Sequence, residues 1–199
     1  MLQILRVIGF GALLLGAASS AHAKPDKLLI DATVIEQVKS WLSAPVVGIT
    51  LDSQNQRYEE IGQADILKLD KQWRAERNDN QQPLIASTLN NPLSIYLTQI
   101  QAISGGLFTE IFVVNKKGLN AGQSSITSDY WQGDEAKFQK TYDVGPKAIF
   151  IDEPELHEAT QTWRAQLNLT LVNAKGKSIG AATVEINLTE LDRRRTTKR

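Results

Sequence analysis

The side chains of this sequence that could do covalent or acid–base chemistry are few. It has no cysteine and two histidines, His22 and His157. Without cysteine there is no thiol nucleophile, disulfide framework, zinc knuckle, iron–sulfur ligand or lipid-bearing cysteine. His22 falls in a segment read below as a removed leader, so any Ser-His-Asp arrangement has to use His157. That residue stands among Glu153, Glu155 and Glu158 in an acidic connector, and no Gly-x-Ser-x-Gly elbow accompanies it. No phosphate loop or dinucleotide fingerprint follows a strand. The adjacent acids Asp134-Glu135 and Asp152-Glu153 are of the type that glycoside hydrolysis uses, but adjacency says nothing of the spacing that reaction needs. The EF-hand pattern is missing as well. The expectation is that the protein is not an enzyme and holds no cofactor.

Binding chemistry is better supplied. Trp163, Ala165, Leu167, Leu169 and Leu171 alternate with Arg164, Gln166, Asn168 and Thr170, the pattern of a long strand with one apolar and one polar face. Lys175-Gly176 turns the chain, and Ile179 to Leu188 returns. If the turn pairs Ala174 with Lys177, then Gln166 faces Glu185, Arg164 faces Asn187, and Arg164 lies diagonal to Glu185. A face bearing Arg164, Gln166, Asn168, Thr183, Glu185 and Asn187 is either solvated or lines a cavity. If a loop covers it, those groups need partners, which a metabolite or water can supply. Trp163 belongs to the opposite, core-facing side.

The elements that must position these residues fall into a helical half and a strand half. Leu28, Ala32, Ile35, Val38 and Leu42 recur at three or four residues and predict a long helix from about Lys27 to Ser43, punctuated by Pro45. Ile66, Leu69 and Trp73 mark a short helix, followed by a polar loop from Glu76 to Gln82. Asn91-Pro92 is a cap with proline at the first helical position, and Leu93, Tyr96, Leu97, Ile100 and Ile103 continue that helix to Gly105-Gly106. From Thr109 the period changes to that of strands: 109–115, its hairpin partner 119–124, then 147–152, 163–171 and 179–188. The fold class expected is α+β, with a PAS-like five-stranded antiparallel sheet of order 2-1-5-4-3 preceded by the long N-terminal helix and further helices.

Composition agrees with an exported globule. Arg6, an apolar stretch from Val7 to Ala18 and Ala21-His22-Ala23 have the parts of a secretory signal, so residues 1–23 are expected to be removed. No later stretch reaches the ~20 apolar residues of a membrane span. Lysine plus arginine and aspartate plus glutamate number 22 each, which offers no basic field for nucleic acid. Five of the basic residues crowd into 192–199, read as a basic tail after a domain of residues 24–191. Such a tail is either a solvated, frayed terminus or a contact for an acidic partner or an anionic membrane surface.

The residues also resemble a family. Leu69-Asp70-x-x-Trp73, then Glu110-Ile-Phe-Val-Val-Asn-Lys-Lys-Gly118, Thr127-Ser-Asp-Tyr-Trp-Gln-Gly-Asp-Glu135 and Asn173-Ala-Lys-Gly-Lys-Ser-Ile-Gly-Ala181 follow one another as in a single Cache domain, the extracytoplasmic PAS-like sensor of bacterial kinases and chemoreceptors. The resemblance spans about residues 27–190. It implies a periplasmic sensor with a pocket on one sheet face, roofed by residues 125–145, and the long helix on the other face. Tyr130, Trp131, Asp134 and Tyr142 of that roof, with Asp152, Arg164, Gln166 and Glu185 of the sheet, are the ligand-binding candidates. The ligand implied is an amino acid, amine or carboxylate, and the partner a membrane receptor, kinase or cyclase. The tyrosine, arginine and tryptophan-tyrosine signature of amino-acid-binding double Cache domains is absent. Four residues have a second reading: Asp134 as an N-cap, Trp131 and Tyr142 as anchors packed on the sheet, and Arg164 as a half-exposed structural partner of Glu185. An interaction or assembly protein that keeps the scaffold without a ligand is the alternative.

Overall fold

Two aspartates decide where the first helix begins. The computed structural model describes residues 24–197, so the expected leader lies outside the described residues. Asp26 caps a short 3-10 turn, Lys27–Leu29, and the extended Asp31 then caps α1 (Ala32–Leu42), its carboxylate accepting from the Val34 amide at 3.1 Å. The helix expected over 27–43 is therefore broken at Ile30-Asp31, because a capping aspartate competes with the helical backbone for its own amides. Val34, Val38 and Leu42 still form the buried stripe. Pro45 does more than punctuate: it occupies the first turn of α2 (Pro45–Arg57), where its missing N–H is harmless. The helices continue with α3 (Gln63–Glu76), α4 (Pro83–Leu89) and α5 (Pro92–Ile103), the last capped by the Asn91 side-chain oxygen Oδ1, which accepts from the Ser94 amide at 2.9 Å. Gly105 and Gly106 end α5 with positive φ of 58° and 84°.

The sheet comprises β1 (Phe108–Asn115), β2 (Asn120–Gln123), β3 (Ile149–Ile151), β4 (Glu155–His157), β5 (Thr162–Val172) and β6 (Ser178–Asn187), all antiparallel, with α6 (Ala136–Gln139) between β2 and β3. The order is β2-β1-β6-β5-β3, with β4 pairing β5 beyond β3. Apart from β4, which the sequence reads as a connector, this is the expected five-strand order. Gln166 faces Glu185 and Arg164 faces Asn187, as alternation predicts. The turn differs: Val172 pairs with Ser178 after a register shift, and the Asn173 carboxamide oxygen holds the amides of Lys175 and Lys177 at 3.0 Å each. That side-chain turn takes up the extra residue.

The α1, α2 and α5 helices cover one sheet face, where Val38, Leu42, Leu51, Leu93 and Leu97 join Ile111, Val113, Leu167, Val184 and Ile186 in the main core. Trp163 packs at its margin. Residues 192–197, expected as part of a tail, continue α7 (Leu188–Thr197), which buries Leu188 and Leu191. The Arg194 guanidinium donates to the carbonyls of Ser104 and Gly105 at 2.8 Å, at the end of α5, and Arg195 pairs with Asp31 at 2.7 Å. A cation on the last carbonyls of a helix satisfies orphan acceptors and its dipole together. Within this helix the pKa of Glu190 is held down to about 2 by hydrogen bonds from Arg193 and Arg194.

A second core forms where α3 and α4 meet the segment after β2: Ile66, Trp73, Ile85, Leu119 and Tyr130. Asp70 organises it. One carboxylate oxygen accepts from the backbone amides of Tyr130 and Trp131 at 2.9 and 3.1 Å, and the other from Arg74 at 2.8 Å. Trp73, one turn on, stacks on Tyr130 at 5.3 Å and donates its indole N–H to the Thr127 carbonyl at 3.0 Å. Glu76 then caps α4, accepting from the amides of Leu84 and Ile85. Replacing Asp70 by alanine leaves two amides of the segment without an acceptor, one of them buried. The expected cost is about 3 kcal/mol, a fall of roughly 6–12 °C in melting midpoint for a domain of this size. Asp70→Asn, which keeps one acceptor, should fall between. Chemical denaturation measures both, and a loss below about 0.5 kcal/mol for alanine, within the range of ordinary surface substitutions, would remove Asp70 from this role.

Candidate functional site

The face opposite the main core carries Glu110, Phe112 and Val114 of β1, Ala181, Thr183 and Glu185 of β6, and Arg164, Gln166 and Asn168 of β5, as the paired registers require. Its centre is filled. Phe138 of α6 stacks on Tyr142 at 4.9 Å, and the two rest on Phe112, Val114 and Ala181. The Lys137 ammonium lies 5.3 Å from the Phe112 ring centre and pairs with Glu135 at 2.9 Å. Asn168 is buried and satisfied within the sheet, taking the Thr183 hydroxyl at 2.7 Å and donating to the Phe150 carbonyl at 3.2 Å.

What stays open is a polar cleft of about 230 Å³ toward β4, whose lining includes Glu135, Lys137, Asp152, Arg164, Gln166 and Glu185. Arg164 and Glu185 make its base, with Nη1 and Oε2 2.9 Å apart and side chains 17 % and 22 % exposed. Glu185 also accepts from the Thr109 hydroxyl, and Arg164 reaches the Thr160 hydroxyl at 3.3 Å. β4 supplies the rim: His157 Nδ1 lies 2.8 Å from the Thr160 hydroxyl, which in turn meets Thr162 at 2.7 Å. The Asp152 amide binds the Gln166 carbonyl at 2.9 Å, which fixes that carboxylate beside β5. Among the described residues, no group of three or more histidine, cysteine or acidic side chains converges as a metal site.

Four of the eight candidates, Asp152, Arg164, Gln166 and Glu185, thus meet in one cleft. The four roof residues lie elsewhere. Tyr130 is buried against Trp73. Trp131 is clasped between two turns, its indole N–H on the Lys117 carbonyl at 2.9 Å; a β-carbon on Gly133 would come within 2.4 Å of that indole nitrogen. Tyr142 backs Phe138, and burial raises its phenol above the ordinary range. Asp134 is exposed and is not the N-cap expected of it: α6 starts only at Ala136, so the cap position falls to Glu135, which makes no side-chain cap bond. Trp131 thus packs against the second core and Tyr142 against Phe138 on the sheet face.

Glu110 is the residue that sequence reasoning passed over. It lies opposite Glu185, and burial followed by the Glu185 charge raises its pKa, while Lys137, Ser125 and Arg164 pull it back. The signal was present: a glutamate in a strand otherwise apolar on that face, in line with Phe112 and Val114.

No family model matches this chain, and no curated protein does. Solved structures give weak likenesses. The ligand-binding domain of the Campylobacter jejuni chemoreceptor Tlp3, in complex with 4-methylisoleucine, aligns at 13 % identity and a TM-score of 0.39, covering 84 % of this chain and 65 % of that one. That of the Pseudomonas aeruginosa amino acid chemoreceptor PctC, in complex with GABA, aligns at 13 % and 0.40, over 80 % and 62 %. The sensor domain of Escherichia coli DcuS aligns at 13 % and 0.38, over 73 % and 96 %. This chain spans less than two thirds of the length of either chemoreceptor domain.

Proposed function

We propose that this protein is a periplasmic sensor of the single-Cache type that binds a small ammonium-bearing metabolite at the β5–β6 cleft, without turnover, and reports occupancy to a membrane partner. The observation that carries the reading is the half-buried Arg164–Glu185 pair at the base of a polar cleft on a sheet face. The order of the Cache-like motifs and the β2-β1-β6-β5-β3 sheet support it. Among the described residues no helix is long and apolar enough to cross a membrane.

The ligand class follows from charge. Glu135, Asp152, Glu153, Glu155 and Glu185 line the cleft against Lys137 and Arg164. Both cations are already paired, with Glu135 and Glu185, and Glu153 is taken by Lys27. The surplus is negative, so an amine is favoured over a carboxylate. Glu135 and Lys137 flank the start of α6, whose Phe138 rests on the sheet, so a ligand that engages them biases the seating of α6 on the face. Occupancy changes the outer surface only by the ligand's difference in affinity for the two seatings.

A second reading has its own observation. The centre of the face is filled by Phe112, Val114, Phe138 and Tyr142, which favours an interaction protein on this scaffold with no ligand. Thermal denaturation against amines, amino acids, carboxylates and purines separates the two. An amine at 100 times its Kd should add about 2.7 kcal/mol, raising the midpoint by roughly 5–10 °C. Asp152→Asn should weaken that amine about tenfold, some 1.4 kcal/mol, with the unliganded midpoint unchanged. Silence across the panel selects the scaffold reading, and turnover of any compound would show an enzyme.

Glu110 gives a pH signature. Its folded pKa is raised, so ionisation costs the fold stability; the cost is absent below the unfolded carboxyl pKa of about 4.3 and grows as pH rises through the folded value. Glu110→Gln should therefore melt higher than the parent at about pH 7.5 and converge with it near pH 4. Parallel melting curves across that range would show that Glu110 carries no such strain.

A further inference from the structure

On the helix-covered side of the sheet, the edge of the main core stays open. The α1 helix stops at Leu42, the chain turns through Ser43 and Ala44, and α2 leaves from Pro45. Ile149 of the three-residue β3 pairs with Leu169 and so shares the core-facing side, yet it is 39 % exposed. Two hollows of about 420 and 510 Å³ result, which share Leu42, Ser43, Leu171 and Val172 and make one trench around the α1–α2 corner. We infer that this trench binds a linear amphipathic carboxylate, an alkanoate, with its head beside Lys147 and its tail along α2. The site lies on the opposite face from the polar cleft and does not depend on the sensor reading above.

Gly48 is the first observation. Pro45, Gly48, Ile49 and Asp52 recur at three and four residues, so they form one face of α2, and all four line the second hollow. A glycine inside a helix is destabilising relative to alanine. No described atom requires this one, since a β-carbon built on it would meet nothing within 4 Å. Its effect is to leave open the middle of a wall whose neighbouring side chain, Ile49, is itself exposed.

Charge is the second, and it fixes the ligand's sign and direction. The first hollow is lined by Lys39 and Lys147 and by no carboxylate, whereas the charged residue of the second is Asp52. Lys39 is paired with Glu36 at 2.8 Å, while Lys147 is exposed and, among the described residues, in no ion pair. An apolar trench with cations at one end and an acid at the other accepts a carboxylate at the lysine end and an uncharged tail beyond it. Salt screens an exposed head, so most of the affinity has to come from the tail against Leu171, Val172 and the α2 wall. The volumes fall in the roughly 300–1,000 Å³ range of small-molecule sites.

Decanoate is the probe, titrated below its aggregation concentration into the full chain. It should shift the backbone amide resonances of Ile149 and Leu171 saturably and with one Kd. Octanoate, two methylenes shorter, should bind about tenfold more weakly. Decylammonium, with the charge reversed, should also bind about tenfold more weakly than decanoate. Gly48→Leu fills the trench without a clash, so it should weaken decanoate at least tenfold while the melting midpoint of the unliganded chain does not fall. Val172→Asp, at an exposed position common to both hollows, is the second such test and should do the same. Lys147→Gln should cost about threefold for decanoate and nothing for decylammonium, and Asp152→Asn, in the polar cleft, should leave decanoate unchanged. Shifts that never saturate, or a decanoate affinity that survives both Gly48→Leu and Val172→Asp, would overturn the inference. Equal binding of decylammonium would overturn it as well, since the trench would then read no charge.

Discussion

The start of the segment between β2 and β3 is docked on α3 through one carboxylate, with the Trp73 indole beside it. From Glu135 onward the segment bonds largely to itself, through α6 and the turns after it, but its earlier part needs outside acceptors, and Asp70 supplies one for two consecutive amides at Tyr130 and Trp131. Helix geometry then puts Trp73 on an adjacent part of the α3 surface, where it covers Tyr130. The Leu-Asp-x-x-Trp element is thus a docking device. It fixes where the segment leaves β2, and so where α6 comes down on the sheet and which part of the polar face stays uncovered.

The sheet has two unlike faces because its central strands alternate strictly. On the helix side, alternation yields a continuous apolar core. On the other side it yields Arg164, Gln166, Asn168, Thr183 and Glu185, groups that cannot be covered without partners. The molecule resolves this in two ways. Asn168 and Thr183 bond to each other beneath cover, while Arg164 and Glu185 pair at the edge of cover and keep contact with solvent. A cleft forms where self-satisfaction runs out. Glu110 marks the same boundary from beneath, a carboxyl whose ionisation is opposed by burial and by its neighbour across the strand.

How much of this was legible depended on whether the signal was periodic. Alternation from Trp163 to Leu171 gave the faces and, with the Lys175-Gly176 turn, the register that brings Arg164 to Glu185. The Asn91-Pro92 cap was legible because its mechanism is local. Periodicity had nothing to act on in α4, which is seven residues long, or in β4, which is three and carries Glu155 and His157 in an exposed edge. The aromatic residues of 130–142 were the hardest, since an aromatic ring suits a ligand pocket and a packing core equally. What separates the two is the position of Trp73, Gly133 and Phe138 in space. The Asp134 cap failed for a related reason: the polar-then-helical pattern was right, but the helix opens one residue later and Glu135 takes the cap position without a side-chain bond.

The ends of the described chain are joined to the cleft by exposed charge pairs, and this bears on how occupancy would be read outside. Glu153 on the cleft wall pairs with Lys27 in the turn before α1; Asp31, the cap of α1, pairs with Arg195 of α7; and Arg194 of the same helix holds the end of α5. The first two pairs lie at the surface, where salt screens them and neither holds its element strongly. The apolar contacts beneath are different, since Val34, Val38, Leu188 and Leu191 are buried in the main core. A ligand that draws Glu153 away from Lys27 therefore changes the charge around the start of α1 without unseating either helix. On the proposed sensor reading, such a change in the electrostatic surface where α1 begins and α7 ends would accompany the reseating of α6 and leave the core in place.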